Sequence, residues 1–122
     1  MGGTVEATLT GRRVLVVEDE FFLADDLVRA LERRGAEVVG PMPSLERAVA
    51  AANGEALDFA VIDLNLKGDH GFPVADALTE RRVPFVFATG YDQAVIPERF
   101  RHVRRWEKPF EVDALIAALP AG

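Results

Sequence analysis

Apolar residues along the chain fall into two kinds of pattern. Val14-Leu15-Val16-Val17, Phe59-Ala60-Val61-Ile62 and Phe85-Val86-Phe87-Ala88 are short continuous runs. Runs of this kind read as strands buried on both faces, as in a parallel sheet. Between them the period changes. Leu23, Leu27 and Leu31 recur at four-residue spacing, Arg33 and Arg34 follow, and Gly35 closes the segment. That is an amphipathic helix with basic residues in its last turn and a glycine stop. Val38-Val39 reads as a short second strand ended by Gly40-Pro41. Ser44 suits the N-cap of a second helix running to Asn53-Gly54. Pro73 opens a third helix reaching Arg81-Arg82, residues 103–107 form a weak fifth strand, and Val112 to Leu119 form the last helix. Only residues 91–101 remain for a fourth helix, and Pro97 lies within them. Proline removes a backbone donor and clashes with the preceding turn, so this element is expected to be short or irregular. Strands alternating with helices imply an α/β fold with a parallel sheet covered on both faces.

Composition narrows the class. The chain has 122 residues, 49% apolar and 28% charged, the balance of one soluble globular domain. Residues 1–10 are expected to be a flexible N-terminal segment, with the domain over 11–120. There is no cysteine, which excludes disulfides and thiolate metal sites and is compatible with a cytoplasmic protein. No apolar run approaches the roughly 20 residues of a membrane span, and the N-terminus lacks the basic and apolar regions of a secretory signal. The net charge of −6 argues against bare nucleic acid as a partner. One basic segment stands out: Arg99, Arg101, Arg104 and Arg105, with His102 among them. A solvated edge is its plainer reading. An Arg-rich docking surface for an acidic partner, helped by the adjacent Trp106, is the sharper one.

Candidate chemistry lies at the strand ends. Glu18, Asp19, Asp63, Thr89 and Lys108 all stand where apolar strands finish. Ligands of open α/β sheets bind beyond the carboxyl ends of the strands. Taken singly, each residue is an ordinary turn, cap or surface residue. Together they place three carboxylates, a hydroxyl and an ammonium in one pocket. Carboxylates so gathered repel one another, and oxygen-only ligands favour Mg²⁺ as the relieving cation, with Mn²⁺ able to substitute. Neither His70 nor His102 stands at the carboxyl end of a strand, which argues against zinc. A cation, Lys108 and the Thr89 hydroxyl together suit a phosphoryl group at Asp63, a transfer catalysed mainly by positioning and charge.

Four segments then carry a resemblance. VLVVEDE (14–20), VIDLNLKG (61–68), FATG (87–90) and EKPF (107–110) closely resemble the signatures of response-regulator receiver domains, and the likeness covers about residues 12–119. It implies a flavodoxin-like doubly wound sheet of order 2-1-3-4-5, an order for which a chemotaxis receiver is itself a standard example. It implies Asp63 as phosphoryl acceptor and Asp19 as a direct Mg²⁺ ligand. Glu18 would act on the metal through water, and Asn65 through its backbone carbonyl. Thr89 matches the switch hydroxyl and Lys108 the lysine that pairs with the phosphoryl group. Lys108-Pro109 resembles the family's cis peptide. PFVFATGY (84–91) is similar to single-domain regulators named for a FATGUY motif, which are associated with histidine-kinase networks and general stress signalling.

The resemblance implies a stand-alone response regulator. It would receive a phosphoryl group from a histidine kinase or phosphotransfer protein in a two-component phosphorelay, then signal by protein contacts or act as a phosphate sink. No output domain, no nucleic acid and no membrane are expected, and a monomer or weak dimer is. A downstream protein would dock on the fourth helix–fifth strand–fifth helix face. Three positions depart from the family pattern. Arg105 stands where an aromatic switch residue is usual, with Trp106 beside it; either could substitute. Glu18 replaces the more frequent Asp. Tyr91 and Asp92 follow Gly90, so the subgroup motif is matched in part. Two rival functions remain: a degenerate receiver serving as a phosphorylation-independent scaffold, and a small Mg²⁺-dependent phosphatase with an Asp nucleophile. Against the phosphatase, Asn65 stands where a second catalytic Asp is typical. A dinucleotide or flavin binder lacks its glycine-rich loop after the first strand.

Overall fold

A computed structural model describes residues 9–66, 68–90 and 96–119. The elements run β1 (Arg13–Val17), α1 (Phe21–Arg33), β2 (Glu37–Met42), α2 (Leu45–Gly54), β3 (Phe59–Asp63), β4 (Asn65–Leu66), β5 (Asp69–His70), α3 (Phe72–Glu80), β6 (Phe85–Thr89), β7 (Arg105–Glu107) and α4 (Val112–Ala117). Five strands form one parallel sheet in the order β2-β1-β3-β6-β7, which is the expected 2-1-3-4-5 when only the sheet strands are counted.

Strand periodicity divides the core into two layers. Leu15, Val17, Ile62 and Phe87 pack against one set of helices, with Ala48 and Ala52 of α2 and Val74 and Leu78 of α3. Val14, Val16 and Val61 face the other way, onto Leu27 and Leu31 of α1 and Leu115 and Ile116 of α4. The four-residue leucine stripe of α1 therefore does what its spacing implies. Leu9 joins this second layer at 3% exposure, and its N–H donates to the Arg34 carbonyl at 2.9 Å.

Several boundaries differ from the sequence expectation. Gly40-Pro41 does not end β2, which continues to Met42. β2 is an edge strand, so a proline need not break a ladder bond on its outer side. A register shift between Leu15 and Val17 absorbs the irregularity. Gly40 has φ 115°, and a Cβ there would meet the Val16 carbonyl at 2.7 Å, so the position requires glycine. β4 and β5 form a small antiparallel hairpin that the sequence pattern did not reveal. Helix α3 stops at Glu80 rather than Arg82, and the last strand starts at Arg105 rather than Val103. No side chain caps the start of α3, where Pro73 fills the first turn.

Between β6 and β7 the described residues hold a single 3-10 turn, Glu98–Phe100, in place of a full helix. Pro97 precedes it, and Phe100 anchors it. The Phe100 ring stacks on Phe72 at 5.9 Å and meets Phe87 edge-on at 5.7 Å. Burial of one aromatic, rather than an amphipathic stripe, fixes this segment to the sheet.

Candidate functional site: an acidic pocket at the carboxyl ends of the strands

The parallel order brings the ends of β1, β3, β6 and β7 side by side. Glu18 and Asp19 follow β1, Asp63 ends β3, Thr89 ends β6, and Lys108 follows β7. Ligand oxygens of Glu18, Asp19 and Asp63 lie within 4.8 Å of one another. Glu18 and Asp63 are each 2% exposed. Lys108 reaches between them: its Nζ donates to Glu18 Oε2 at 3.1 Å and to Asp63 Oδ2 at 3.2 Å. Glu20 Oε1 stands 3.7 Å from the same ammonium. The Lys108 N–H donates to the Thr89 carbonyl at 2.7 Å, which ties the lysine to the end of β6. The Lys108–Pro109 peptide is cis.

Asp63 is held at both oxygens. Oδ2 accepts from Lys108, and Oδ1 accepts the Asn65 backbone N–H at 3.0 Å. The Asn65 side chain is engaged elsewhere, its Oδ1 accepting the Gly68 N–H at 3.2 Å. Gly71, which sequence reasoning passed over, sits under the end of β3. A Cβ at Gly71 would meet the Asp63 carbonyl at 2.7 Å and Ile62 Cγ2 at 2.8 Å. Its signal in the sequence is weak, since one glycine before a helix resembles any other turn residue.

Burial sets the electrostatics. Desolvation, reinforced by the neighbouring Asp63 charge, pushes the Glu18 carboxyl up to about 7, with Lys108 opposing the rise. Burial likewise raises Asp63, against the Asn65 hydrogen bond and the attraction of Lys108. For Lys108, burial works downward, but Asp63 and Glu18 together hold it above the ordinary lysine value. One ammonium therefore serves two buried carboxylates, with Asp19 beside them.

The donor set fits a hard divalent cation. Every group in the pocket that could ligate is an oxygen, and Glu18 Oε1 is buried without a hydrogen-bond partner. Buried polar atoms normally find a partner, and a cation or its water would supply one here. An expected result follows. In chelator, stability falls as pH rises from about 6 to about 8, because carboxylates with raised folded pKa values lose protons they retain more firmly when folded. Mg²⁺ raises the melting temperature, and more at pH 8 than at pH 6, since protonated Glu18 competes with the metal. Thermal melts at the two pH values, with and without Mg²⁺, check both statements; an equal Mg²⁺ effect at both would exclude Glu18 from the metal site.

The candidate switch residues separate by strand face. Thr89 is 5% exposed, and its hydroxyl donates to the Gly90 carbonyl at 2.8 Å rather than into the pocket. In the β6–β7 register Phe87 opposes Arg105, Ala88 opposes Trp106 and Thr89 opposes Glu107. Opposed residues share a face, so Arg105 lies on the Thr89 side and Trp106 on the other. Trp106 packs edge-on to Phe110 at 6.2 Å in the α1–α4 layer. Of the two candidate substitutes for the switch aromatic, only Arg105 shares a face with Thr89. Tyr91 lies outside the described residues.

The basic segment is not uniform. Arg99 is bound to the domain: Nε and Nη2 donate to the two oxygens of Asp76, each at 2.9 Å, and its guanidinium lies 4.6 Å from the Phe100 ring centre. Arg101, His102, Arg104 and Arg105 are exposed.

A feature the sequence did not announce adjoins the pocket. Phe21 and Phe22, directly after the acidic residues, are 72% and 78% exposed, the large apolar side chains most open to solvent among the described residues. Their rings meet edge-on at 5.3 Å. Phe22 lines a cleft with Leu23, Pro109, Phe110 and Lys108.

A doubly wound parallel sheet with an acidic pocket and a bridging lysine at its carboxyl edge defines a class of phosphoryl-handling signalling domain. The family model of the response regulator receiver domain matches residues 14–120, and the chain belongs to this family. It is 34% identical over 106 residues to the sensory transduction protein LytT of Bacillus subtilis. It is 31% identical over 112 residues to the transcriptional regulatory protein PdtaR of Mycobacterium tuberculosis. These alignments take in 84% and 88% of this chain but 39% and 55% of those proteins, so the chain spans about half of such relatives or less. Among solved structures, SdrG from Sphingomonas melonis Fr1 matches with TM-score 0.70 and 36% identity, over 93% of this chain and 96% of that one. The BeF3-activated conformation of SdrG matches with TM-score 0.70 and 38% identity. Receiver domains are signalling modules that interact with histidine kinases or phosphotransfer proteins. Among the described residues no helix is long and apolar enough to cross a membrane.

Proposed function

We propose that Asp63 accepts a phosphoryl group from the phosphohistidine of a histidine kinase or phosphotransfer protein, and that the chain acts as a stand-alone response regulator. The observation that carries this reading is the Lys108 ammonium between Glu18 and Asp63, within 3.2 Å of both. A structural ion pair needs one carboxylate; two buried ones sharing a lysine beside a third acid form a site that accommodates a cation and then an anion.

In this reading an Asp63 oxygen attacks phosphorus, and the donor imidazole leaves with its bonding electron pair. The Asn65 N–H fixes the carboxylate orientation through Oδ1. Glu18, Asp19, Asp63 and the Asn65 carbonyl would hold Mg²⁺, which supplies charge neutralisation to the transferring group. Lys108 stays beside the product and pairs with a phosphoryl oxygen. Thr89 then gives up its bond to the Gly90 carbonyl and turns its hydroxyl to the phosphoryl group. Arg105, on the same face, is placed to move with it. The modified domain contacts a partner through the β7–α4 face or drains phosphoryl groups from the donor. Asn65 supports this over hydrolysis of a foreign substrate, because the position that would supply a second acid is an amide already bonded to Gly68.

The exposed Phe21 belongs to the same reading as a contact for the donor protein. Phe21→Ser is expected to slow transfer from a phosphorylated kinase or phosphotransfer protein by about tenfold, the scale of one interface anchor. It should slow phosphorylation by acetyl phosphate much less. The two rates, measured side by side for wild type and variant, decide the point. Equal slowing with both donors would place Phe21 outside the docking surface.

A further inference from the structure

Glu20 stands at the N-cap of α1, directly after Glu18 and Asp19. Serine, threonine, aspartate and asparagine are the side chains that satisfy free helix N–H groups at such a position. Ser44 does so for α2, accepting the Arg47 N–H at 3.4 Å. Glu20 makes no side-chain cap bond. Its carboxylate turns instead toward the pocket, with Oε1 3.7 Å from the Lys108 Nζ. If starting the helix were its only task, a capping residue would do it better. Nor does the contact hold the fold together. The Glu20 side chain is 62% exposed, and an exposed pair at that distance contributes little stability.

What Glu20 does contribute is charge at the mouth of the pocket. The cleft that opens on Lys108 has Phe22, Leu23, Pro109 and Phe110 as apolar walls, and Glu20 and Asp26 as acids. Lys108 is the one cation among the described residues that line it, and its ammonium already bonds Glu18 and Asp63. The divalent cation that the pocket fits would, with Lys108, balance Glu18, Asp19 and Asp63. Glu20 is a fourth carboxylate, left over at the entrance. Across Lys108 it lies at most about 7 Å from any phosphoryl oxygen that the lysine pairs with, the 3.7 Å contact and one hydrogen-bond length. That is inside the Debye length of about 10 Å at 0.1 M salt, so an arriving anion feels it. A site rejects the wrong partner by setting unmatched charge against it, as well as by contacts to the right one.

We propose that Glu20 determines which phosphodonors Asp63 takes. Its charge disfavours free donors with two negative charges, such as acyl phosphates. It favours donors whose phosphoryl group carries a compensating positive charge, on a protonated nitrogen or beside a basic side chain. This rests on Asp63 being the acceptor. Glu20 takes no part in the transfer itself and acts through the field at the entrance. Its backbone N–H bonds Glu18 Oε2 at 3.0 Å, a contact that replacing the side chain leaves in place.

The test compares two small donors at pH 7 and Mg²⁺ saturating for each protein. Acetyl phosphate is a dianion, and the protonated nitrogen of phosphoramidate leaves it one net negative charge. Intact mass gives the phosphorylation rates of wild type, Glu20→Gln and Glu20→Asp. At low salt Glu20→Gln should take acetyl phosphate about threefold faster, and phosphoramidate only about 1.5-fold faster. In 1 M salt, where the Debye length is about 3 Å, both gains should vanish. Glu20→Asp keeps the charge and should keep the wild-type ratio of the two rates. A purely structural role would change both rates alike, whatever the salt. The proposal fails if Glu20→Gln leaves the ratio unchanged, if it takes acetyl phosphate more slowly, or if its preference persists in 1 M salt. Those results would leave Asp63 as the acceptor. Wild type modified by neither donor, or Asp63→Asn modified as wild type is, would overturn the acceptor assignment and this proposal with it.

Discussion

Asp63→Asn is expected to abolish Mg²⁺-dependent phosphorylation by acetyl phosphate while leaving a folded protein. The amide matches the carboxylate in size and keeps an oxygen for the Asn65 N–H that now bonds Oδ1 at 3.0 Å. What it lacks is the anionic nucleophile. Stability should rise rather than fall in chelator. Burial raises the Asp63 carboxyl in the folded state, so its ionised form opposes folding at neutral pH and above. The neutral amide removes that opposition. Intact mass reads the chemistry: one added phosphoryl in the wild type, none in the variant. A gain in the variant would move the acceptor to another residue. No gain in either protein, with acetyl phosphate or any kinase tried, would favour the scaffold reading.

The second large effect belongs to Lys108. Its side chain is 19% exposed, and those of Glu18 and Asp63 are 1% and 3% exposed. Lys108→Met keeps much of the apolar stem and leaves two buried carboxylates without their cation. Removing one partner of a buried ion pair costs about 3 kcal/mol or more, and that loss is expected at pH 8 in chelator. The sign with pH is definite. Glu18 already titrates at about 7 with Lys108 in place, and without the ammonium both carboxyls move higher. Protonation then relieves the unpaired charge as pH falls, so the variant recovers part of its stability at pH 6. Denaturant unfolding at the two pH values measures this; an equal loss at both would make Lys108 a packing residue instead. Phosphorylation should slow by on the order of a hundredfold, the usual effect of removing one charge-stabilising donor.

Much of this site was legible because its residues stand at the ends of apolar strands. Continuous runs such as Val14–Val17 announce parallel strands, and a parallel sheet gathers its carboxyl ends. Glu18, Asp63 and Lys108 thus converge without any knowledge of side-chain geometry, although they are far apart in the chain. What stayed hidden depends on contacts that periodicity does not carry. Trp106 and Arg105 are neighbours in sequence, and only the register with β6 separates them onto opposite faces. The passage of β2 through Gly40-Pro41 depends on its being an edge strand. Gly71 matters because the Asp63 carbonyl lies where its Cβ would be. Phe21 and Phe22 read as two more apolar residues of α1, and only packing shows that the helix buries Leu27 and Leu31 and leaves both rings outside.

The placement of Trp106 has a practical consequence. It is the only tryptophan in the chain, two residues before Lys108, and its indole Nε1 is buried without a hydrogen-bond partner. Its ring touches Phe110, on the far side of the Lys108–Pro109 peptide. Excitation beyond the tyrosine absorption band, which leaves Tyr91 dark, therefore addresses a single indole, two residues from the lysine. On the proposed phosphorylation of Asp63, Lys108 would exchange its carboxylates for a phosphoryl oxygen, and the colour and intensity of that emission should change, a label-free optical readout of the modification.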